Sequence, residues 1–392
     1  MSSDAGVARR AGVLLVGGGL AATRTAQALR ADGYDGSVIL ASEEHELPYD
    51  RPPLSKEMIS AGAGPSRLLS DEDARAAGLE VRLGHRAVGL DLTARRVRFD
   101  GDLPDIGYER LVVATGARPR TLPVLAGAAC ARTLRTVEDS RWLRARFVPG
   151  AKVVVVGAGF VGLEVAATAR GAGCEVDVVE AAASPLERAV GPELGGWLIE
   201  RHRDQGVRVR CGVCVASWAP CGDGVQLELS DGAQLAADVV VVGVGITRDL
   251  SWLAGAGLDV HAGLTVDACG RTSDPAVFGV GDITCVHDAD GVCTVTQHWT
   301  ATTTQTGRVA ATMLARPAPP TARDEGYVWS DQYDMKIQLV GAMAGAARLM
   351  DDSAEASRFL AEYYRGDRLV GAAAVNCPRD LLKRRLALRS GG

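Results

Sequence analysis

The chain has 392 residues, of which 47% are hydrophobic and 23% charged, with a net charge of −5. That length suits two or three domains rather than one core, and the balance excludes both a disordered tail and a nucleic-acid-binding protein. No apolar run approaches the roughly 20 residues needed to span a bilayer, and nine scattered cysteines, an odd number, favour free thiols in a reducing cytoplasm.

Arg9 and Arg10 before an apolar stretch resemble a signal peptide, but three consecutive glycines make a poor hydrophobic helix and a good strand-turn-helix. Val13 to Ala22, VLLVGGGLAA, therefore reads as a buried strand, a glycine turn and a helix start, with the helix running on to Ala31. Gly17, Gly19 and Ala22 fill the three small-residue positions of a dinucleotide-binding turn, and Leu20 and Ala21 begin the helix over the phosphates. The next strand, SVILASEE, offers Glu43 or Glu44 to a ribose, and Glu43 is the choice here.

In residues 46–58, ELPYDRPPLSKEM, three prolines predict an extended loop that holds Arg51 and Lys56 on a stiff backbone. Taken alone, the two cations suit either a cofactor contact or a solvated loop. Leu79 to Phe99 alternates apolar residues around a polar turn at Thr93 to Arg96, which predicts an antiparallel hairpin. Leu111 to Ala114 is a buried strand leading into Thr115 and Gly116, where backbone can approach a cofactor.

Lys152 to Glu180, KVVVVGAGFVGLEVAATARGAGCEVDVVE, is a second strand-turn-helix-strand unit. Gly157 allows the tight turn, Gly159 the approach of a pyrophosphate and Gly162 the packing of helix on strand, with Phe160 and Val161 between them. Glu180 ends the second strand, placed to accept hydrogen bonds from a ribose 2′-hydroxyl and to repel a 2′-phosphate, so the site reads as one for NADH. Two such turns about 140 residues apart ask for two nucleotides that exchange a hydride, which points to a flavoprotein. Glu164, read alone, is an ordinary charge in a helix's first turn.

Pro192 to Gln205 reads as helix, and Val207 to Leu229 as a strand and a hairpin with its turn at Gly222 to Gly224. Cys211, Cys214 and Cys221 alternate within those strands and lack a second pair at metal spacing, which makes them structural thiols and predicts no metal. Asp238 to Val242 is expected to return to the first domain, followed by Gly245 and by Asp249 capping a helix Leu250 to Ala254. RPAPP at 316–320 is a stiff linker to a small sheet with a turn at Gly366 and Asp367, closed by a helix from Pro378. The last fifteen residues carry Arg379, Lys383, Arg384, Arg385 and Arg389 against Asp380, a local balance of +4 that suits either an acidic partner or a solvated helix.

SEEHELPYDRPPLSKEM, both glycine turns, VVATG at Val112 to Gly116, GVGD at Gly279 to Asp282 and WSDQY at Trp329 to Tyr333 together resemble the FAD-dependent NADH:ferredoxin reductases of oxygenase systems, the family of putidaredoxin reductase and apoptosis-inducing factor. The likeness runs from about Val13 to Arg379, and the PPLSK loop is its most specific motif. It implies an α/β fold of two Rossmann-like dinucleotide-binding domains, glutathione-reductase-like, with a small C-terminal α+β domain. The expected boundaries are 1–118 with 247–320 for FAD, 119–246 for NADH and 321–392 for the last domain.

The resemblance also assigns roles. Arg51 and Lys56 would bind FAD, with Lys56 paired to Glu164 near flavin N5. Asp282, otherwise a turn aspartate, would bond the ribityl chain. Gln297, His298 and Trp299 would start a helix aimed at the flavin pyrimidine edge, and Trp329, otherwise a core aromatic, would lie on the nicotinamide side of the flavin. The chain departs from the family where Gln297 stands for a common glutamate and where Arg248 and Asp249 replace Pro-Asn, and Arg248 has no evident role. The expected activity is hydride transfer from NADH to FAD and then single-electron transfer to a ferredoxin-type iron–sulfur protein, in a monomer or homodimer with no nucleic-acid partner. The alternatives are a stand-alone NADH-dependent flavoprotein acting on oxygen, a quinone or a small intermediate, and a redox-sensing protein.

Overall fold

The computed structural model describes residues 10–287, 293–294, 299–318, 326–351 and 357–390, so Gln297 and His298 lie outside the described residues. The chain divides into two compact units. The first gathers Met1–Asp50, Ser66–Arg118 and Arg248–Ala322; the second gathers Arg51–Pro65, Pro119–Thr247 and Arg323–Gly392. The PPLSK loop thus belongs to the second unit.

In the first unit a seven-stranded sheet runs Leu79–Arg82, Val38–Ala41, Arg10–Val16, Ile106–Val113, Arg96–Phe99 and Ala87–Asp91, with Val277–Gly279 also paired to Ile106–Val113. Its centre is parallel, with Leu14 opposite Ile39 on one side and Leu111 on the other. Successive side chains point to opposite faces. Val13 and Leu15 join one apolar cluster with Leu29 and Val309 of the helices Leu20–Ala31 and Trp299–Met313, while Leu14 and Val16 join another with Trp252 and Leu264. Covering both faces is what requires an unbroken apolar strand instead of an alternating one.

The second unit repeats this plan. Arg208–Cys211, Glu175–Glu180, Lys152–Val156, Val239–Val242 and Ala131–Thr133 form a parallel sheet. Val153 and Val155 pack beneath Leu163 and Ala166 of the helix Phe160–Gly171, and Val154 and Val156 pack beneath the antiparallel strands of residues 215–237. A separate five-stranded antiparallel sheet runs Val328–Gln332, Met335–Gly341, Arg368–Val375, Phe359–Arg365 and Ala346–Asp351. One face holds Val190, Leu194 and Leu198 of the helical segment Glu187–Asp204, and the other holds Leu381 of the closing helix Pro378–Ser390.

Several expectations need correction. Leu79–Arg82 is a parallel edge strand against Val38–Ala41, and only Ala87–Asp91 with Arg96–Phe99 makes the hairpin. Pro52 and Pro53 start a 3-10 turn, Pro52–Ser55, followed by a helical turn Glu57–Ser60, so the loop is not extended. Proline's fixed φ suits a helix's first positions as well as an extended segment. Val239–Val242 belongs to the second sheet, and the helix expected over Leu250 to Ala254 is a 3-10 turn, Ser251–Leu253. The helix expected from Pro192 is there, but a helical turn from Glu187 precedes it across a kink at Gly191 (φ 77°). Cys285 and Cys293 lie side by side, with their Cα atoms 5.7 Å apart; Cys211, Cys214 and Cys221 are free.

Gly162 sits where helix and strand touch, and a Cβ there would lie 2.1 Å from the carbonyl oxygen of Gly157. Gly162→Ala must lift the helix Phe160–Gly171 from its sheet. It is expected to lower stability by about 1–3 kcal/mol, read as a reduced urea midpoint at constant slope.

Candidate functional site

In the first unit Gly17 has φ +131°, and a side chain there would fall 2.2 Å from the Ala114 carbonyl oxygen. The turn can close only without one. Gly19 is the N-cap of the helix Leu20–Ala31, with no side-chain cap and no acidic residue in the first turn, and the space where its Cβ would stand is open for 4 Å. The N–H groups of Leu20 and Ala21 thus lie at an uncapped helix end, the donor set a pyrophosphate takes.

Beside this turn the strand Ile106–Val113 runs out into buried Ala114, exposed Thr115 and Gly116, whose φ is +67°. Asp282 follows the strand Val277–Gly279 and is half-buried. Arg248 donates from Nε to the Asp282 carbonyl oxygen at 2.5 Å, while its Nη2 is buried with no partner among the described residues. Trp299 donates from Nε1 to Asp50 at 3.0 Å.

Glu43 is half-exposed and held by Arg118 at 2.6 Å, with Arg86 at 3.7 Å. Glu44 accepts from the Tyr49 hydroxyl. Asp249 also faces Arg118, at 3.4 Å, and its carboxyl is held below the ordinary range by the Ser251 hydroxyl it accepts from.

The second unit repeats the turn with tighter anchoring. Gly157 has φ +105°, with its missing Cβ 2.4 Å from the Gly243 carbonyl oxygen. Gly159 is an uncapped N-cap with no acid in the first turn after it. Val161 is exposed at this helix start, and Phe160 packs toward the antiparallel-sheet core. Glu180 accepts from Ala158 N–H at 2.7 Å and from Ala182 N–H at 2.8 Å, so it ties the end of its own strand to the glycine turn. Gly245, at φ +99°, borders open space.

The second unit also brings together residues distant in sequence. Lys56 Nζ lies 2.9 Å from Glu164 Oε2, with the two side chains only 13% and 7% exposed. Glu164 stands in the second turn of Phe160–Gly171, not the first, and faces inward, so it is no ordinary surface acid. Ser55 donates to Oε2 at 2.5 Å and Ser330 donates to Oε1 at 2.6 Å. A carboxylate removed from water needs its lone pairs taken up in this way.

The loop is pinned from below. Ser140 donates to the Leu54 carbonyl at 2.8 Å, Thr168 donates to that of Ser55 at 2.7 Å, and Arg51 donates to that of Arg135. Trp329 is half-buried and stacks on Tyr327, with ring centres 6.0 Å apart. Ser55 and Ser330 were not singled out from sequence, although they lie inside the PPLSK and WSDQY motifs quoted for the resemblance.

The pyridine nucleotide-disulphide oxidoreductase family matches residues 11–310, and a reductase C-terminal family matches 327–392. The chain is 37% identical to the ferredoxin–NAD(+) reductase component of an anthranilate 1,2-dioxygenase system from Burkholderia cepacia, over 96% of this chain and 94% of that one. Two crystal structures are similar. One is the covalent putidaredoxin reductase–putidaredoxin complex (TM-score 0.91, 30% identity, 98% of this chain and 94% of that one). The other is the ferredoxin reductase for the CYP199A2 system from Rhodopseudomonas palustris (TM-score 0.89, 38% identity, 96% and 94%). With two uncapped dinucleotide turns in an α/β framework and matches of this extent, the chain belongs to the pyridine nucleotide-disulphide oxidoreductase family and carries its reductase C-terminal domain.

Proposed function

We propose that this protein is a cytoplasmic NADH:ferredoxin reductase that transfers hydride from NADH to FAD and then single electrons to a ferredoxin-type iron–sulfur protein feeding an oxygenase. The observation that carries this reading is the buried Lys56–Glu164 pair, braced by Ser55 and Ser330, in the same unit as a dinucleotide turn that ends on Glu180. When bound, FAD supplies the conversion of one hydride into two separable electrons. Residues 1–118 with 247–320 hold it, 119–246 hold NADH, and 321–392 complete the enzyme.

In this reading Gly17, Gly19, Leu20 and Ala21 cradle the FAD pyrophosphate. Glu43 takes its ribose, and Ala114, Thr115, Gly116, Asp282 and Trp299 line its length, together with Gln297 and His298. Gly157, Gly159, Phe160, Val161, Gly162 and Gly245 serve NADH, and Glu180 selects against NADPH by repelling a 2′-phosphate. Arg51 contacts FAD, Lys56 places a positive charge at the reacting ring edge, and Glu164 holds that ammonium in position. Trp329 flanks the ring.

The terminal helix offers the ferredoxin a smaller field than the sequence count of +4, in which Asp380 is already set against the cations, because Arg384 also pairs with Glu362 at 2.6 Å. The relatives' names carry the electron acceptor: one is the reductase component of a dioxygenase system, and another was crystallised with its putidaredoxin.

Four outcomes test this. The purified protein should be yellow and should bleach anaerobically with NADH, and steady-state NADH oxidation should rise saturably with a cognate ferredoxin; a rate indifferent to every ferredoxin offered overturns the acceptor. Lys56→Met should slow flavin reduction at saturating NADH by roughly a hundredfold in rapid mixing. Glu180→Ala should narrow the NADH-over-NADPH preference about tenfold or more, and unchanged discrimination removes its assigned role.

A further inference from the structure

Beyond Glu164 the hydrogen bonds continue away from Lys56 into the interior. Ser330 Oγ, which bonds Glu164 Oε1 at 2.6 Å, lies 3.1 Å from Gln332 Nε2. Gln332 Oε1 is 2.9 Å from His202 Nε2, and His202 Nδ1 is 3.0 Å from the Tyr333 hydroxyl. Ser330 and His202 are fully buried, Gln332 is 1% exposed and Glu164 6%. These residues come from three elements: the helix Phe160–Gly171, the helical segment Glu187–Asp204, and the strand Val328–Gln332 with its turn.

One end of this chain dictates every donor in it. A carboxylate only accepts, so the Ser330 hydroxyl must donate to Glu164. Ser330 Oγ then accepts from the Gln332 amide nitrogen, which turns the Gln332 carbonyl toward His202. His202 Nε2 must therefore carry the proton, and Nδ1, left bare, accepts from Tyr333. Four hydrogen bonds in series all point toward the negative charge, the arrangement in which each bond polarises and strengthens the next.

We propose that Gln332, His202 and Tyr333 are positioning residues for the flavin chemistry, a one-way hydrogen-bond relay that fixes the orientation of Glu164 against Lys56. This rests on the Lys56–Glu164 reading above. Two further observations agree. Burial pushes the His202 imidazole below its ordinary range, which keeps it neutral as the relay requires, and burial pushes the Tyr333 hydroxyl up, which keeps it a donor. Tyr333 also holds a left-handed backbone (φ 54°), unfavourable for an aromatic residue. Asn376 braces the turn by donating to the Asp334 carbonyl and accepting from Lys336 N–H. That turn carries the Tyr333 ring to within 5.1 Å of the His202 ring, centre to centre.

The relay is not a proton wire. An amide such as Gln332 cannot pass a proton on without becoming an imidic acid, so the chain transmits polarisation and position only.

The test uses the FAD-loaded enzyme. Long-range ¹⁵N–¹H NMR of the imidazoles should show His202 as the neutral Nε2–H tautomer; an Nδ1–H tautomer or an imidazolium at neutral pH overturns the relay. Gln332→Leu should lower the limiting rate of flavin reduction about tenfold (~1.4 kcal/mol) and shift the flavin midpoint potential, with half-saturation by NADH unchanged. His202→Gln, whose amide can donate in place of Nε2–H, should stay within about threefold of wild type. A fall in melting temperature for Gln332→Leu, with limiting rate and potential both at wild-type values, overturns the positioning role. Glu164→Gln separates the two readings: if it leaves flavin reduction unchanged, the Lys56–Glu164 assignment fails, whereas the relay is decided by the His202 tautomer in wild type.

Discussion

The second unit is arranged around one expensive requirement, a carboxylate kept out of water. Glu164 faces the protein interior from a helix whose other buried residues are Gly162, Leu163, Val165, Ala166, Ala167 and Ala169. Desolvation of an ion costs several kcal/mol that its partners must offset. Lys56 and Ser55 from the PPLSK loop and Ser330 from the antiparallel sheet supply that offset, so three segments separated by more than a hundred residues meet at two oxygen atoms. A buried ion pair is weak evidence for stability, because well-packed apolar residues of the same volume hold a fold at least as well. Its presence among the otherwise apolar buried residues of this helix therefore argues for a chemical use.

The two dinucleotide turns solve the same problem with different degrees of fixation. Both close because a glycine sits where a Cβ would strike a carbonyl, at Gly17 against Ala114 and at Gly157 against Gly243. Both leave a helix N-terminus without a side-chain cap. The acids differ. Glu180 is the last residue of its strand and is held by two backbone N–H groups, whereas Glu43 lies two residues past Ala41 and is held by arginine side chains. Backbone donors fix a carboxylate within its own turn, while guanidinium partners on an exposed surface are worth about 1 kcal/mol or less and can exchange. The more rigid acid is the one in the turn proposed to hold NADH, where discrimination between two coenzymes would depend on where a single charge lies.

What could be read from sequence was local. Strand-turn-helix units announce themselves through apolar runs, glycine spacing and a terminal acid, because each is decided by contacts within about thirty residues. Glu164 could be placed beside Lys56 only through family resemblance, since nothing local distinguishes it from a helix-surface acid. Ser55, Ser330 and His202 were invisible for the same reason: serine and histidine carry no periodicity, and their partners lie far along the chain. The errors have physical causes too. Leu79–Arg82 alternates like a hairpin strand, yet it pairs in parallel with a strand some forty residues earlier. The prolines before Lys56 were read as extended, although the same fixed φ starts the 3-10 turn that lifts Lys56 toward Glu164.

The small antiparallel sheet has a part in this beyond closing the chain. Along Val328–Gln332 the pleat sends alternate residues to opposite faces, and Ser330 and Gln332 are almost wholly buried while Trp329 and Asp331 remain partly exposed. The strand thus offers two polar groups in a row, 3.1 Å apart, to a helix that carries one carboxylate. A slip of one residue in its pairing with Met335–Gly341 would turn both away and present Trp329 and Asp331 instead, setting a second carboxylate against the first. Register in this sheet is therefore specified by charge as well as by apolar burial, and the turn at Tyr333 that sets the register also supplies the last donor of the chain ending on Glu164.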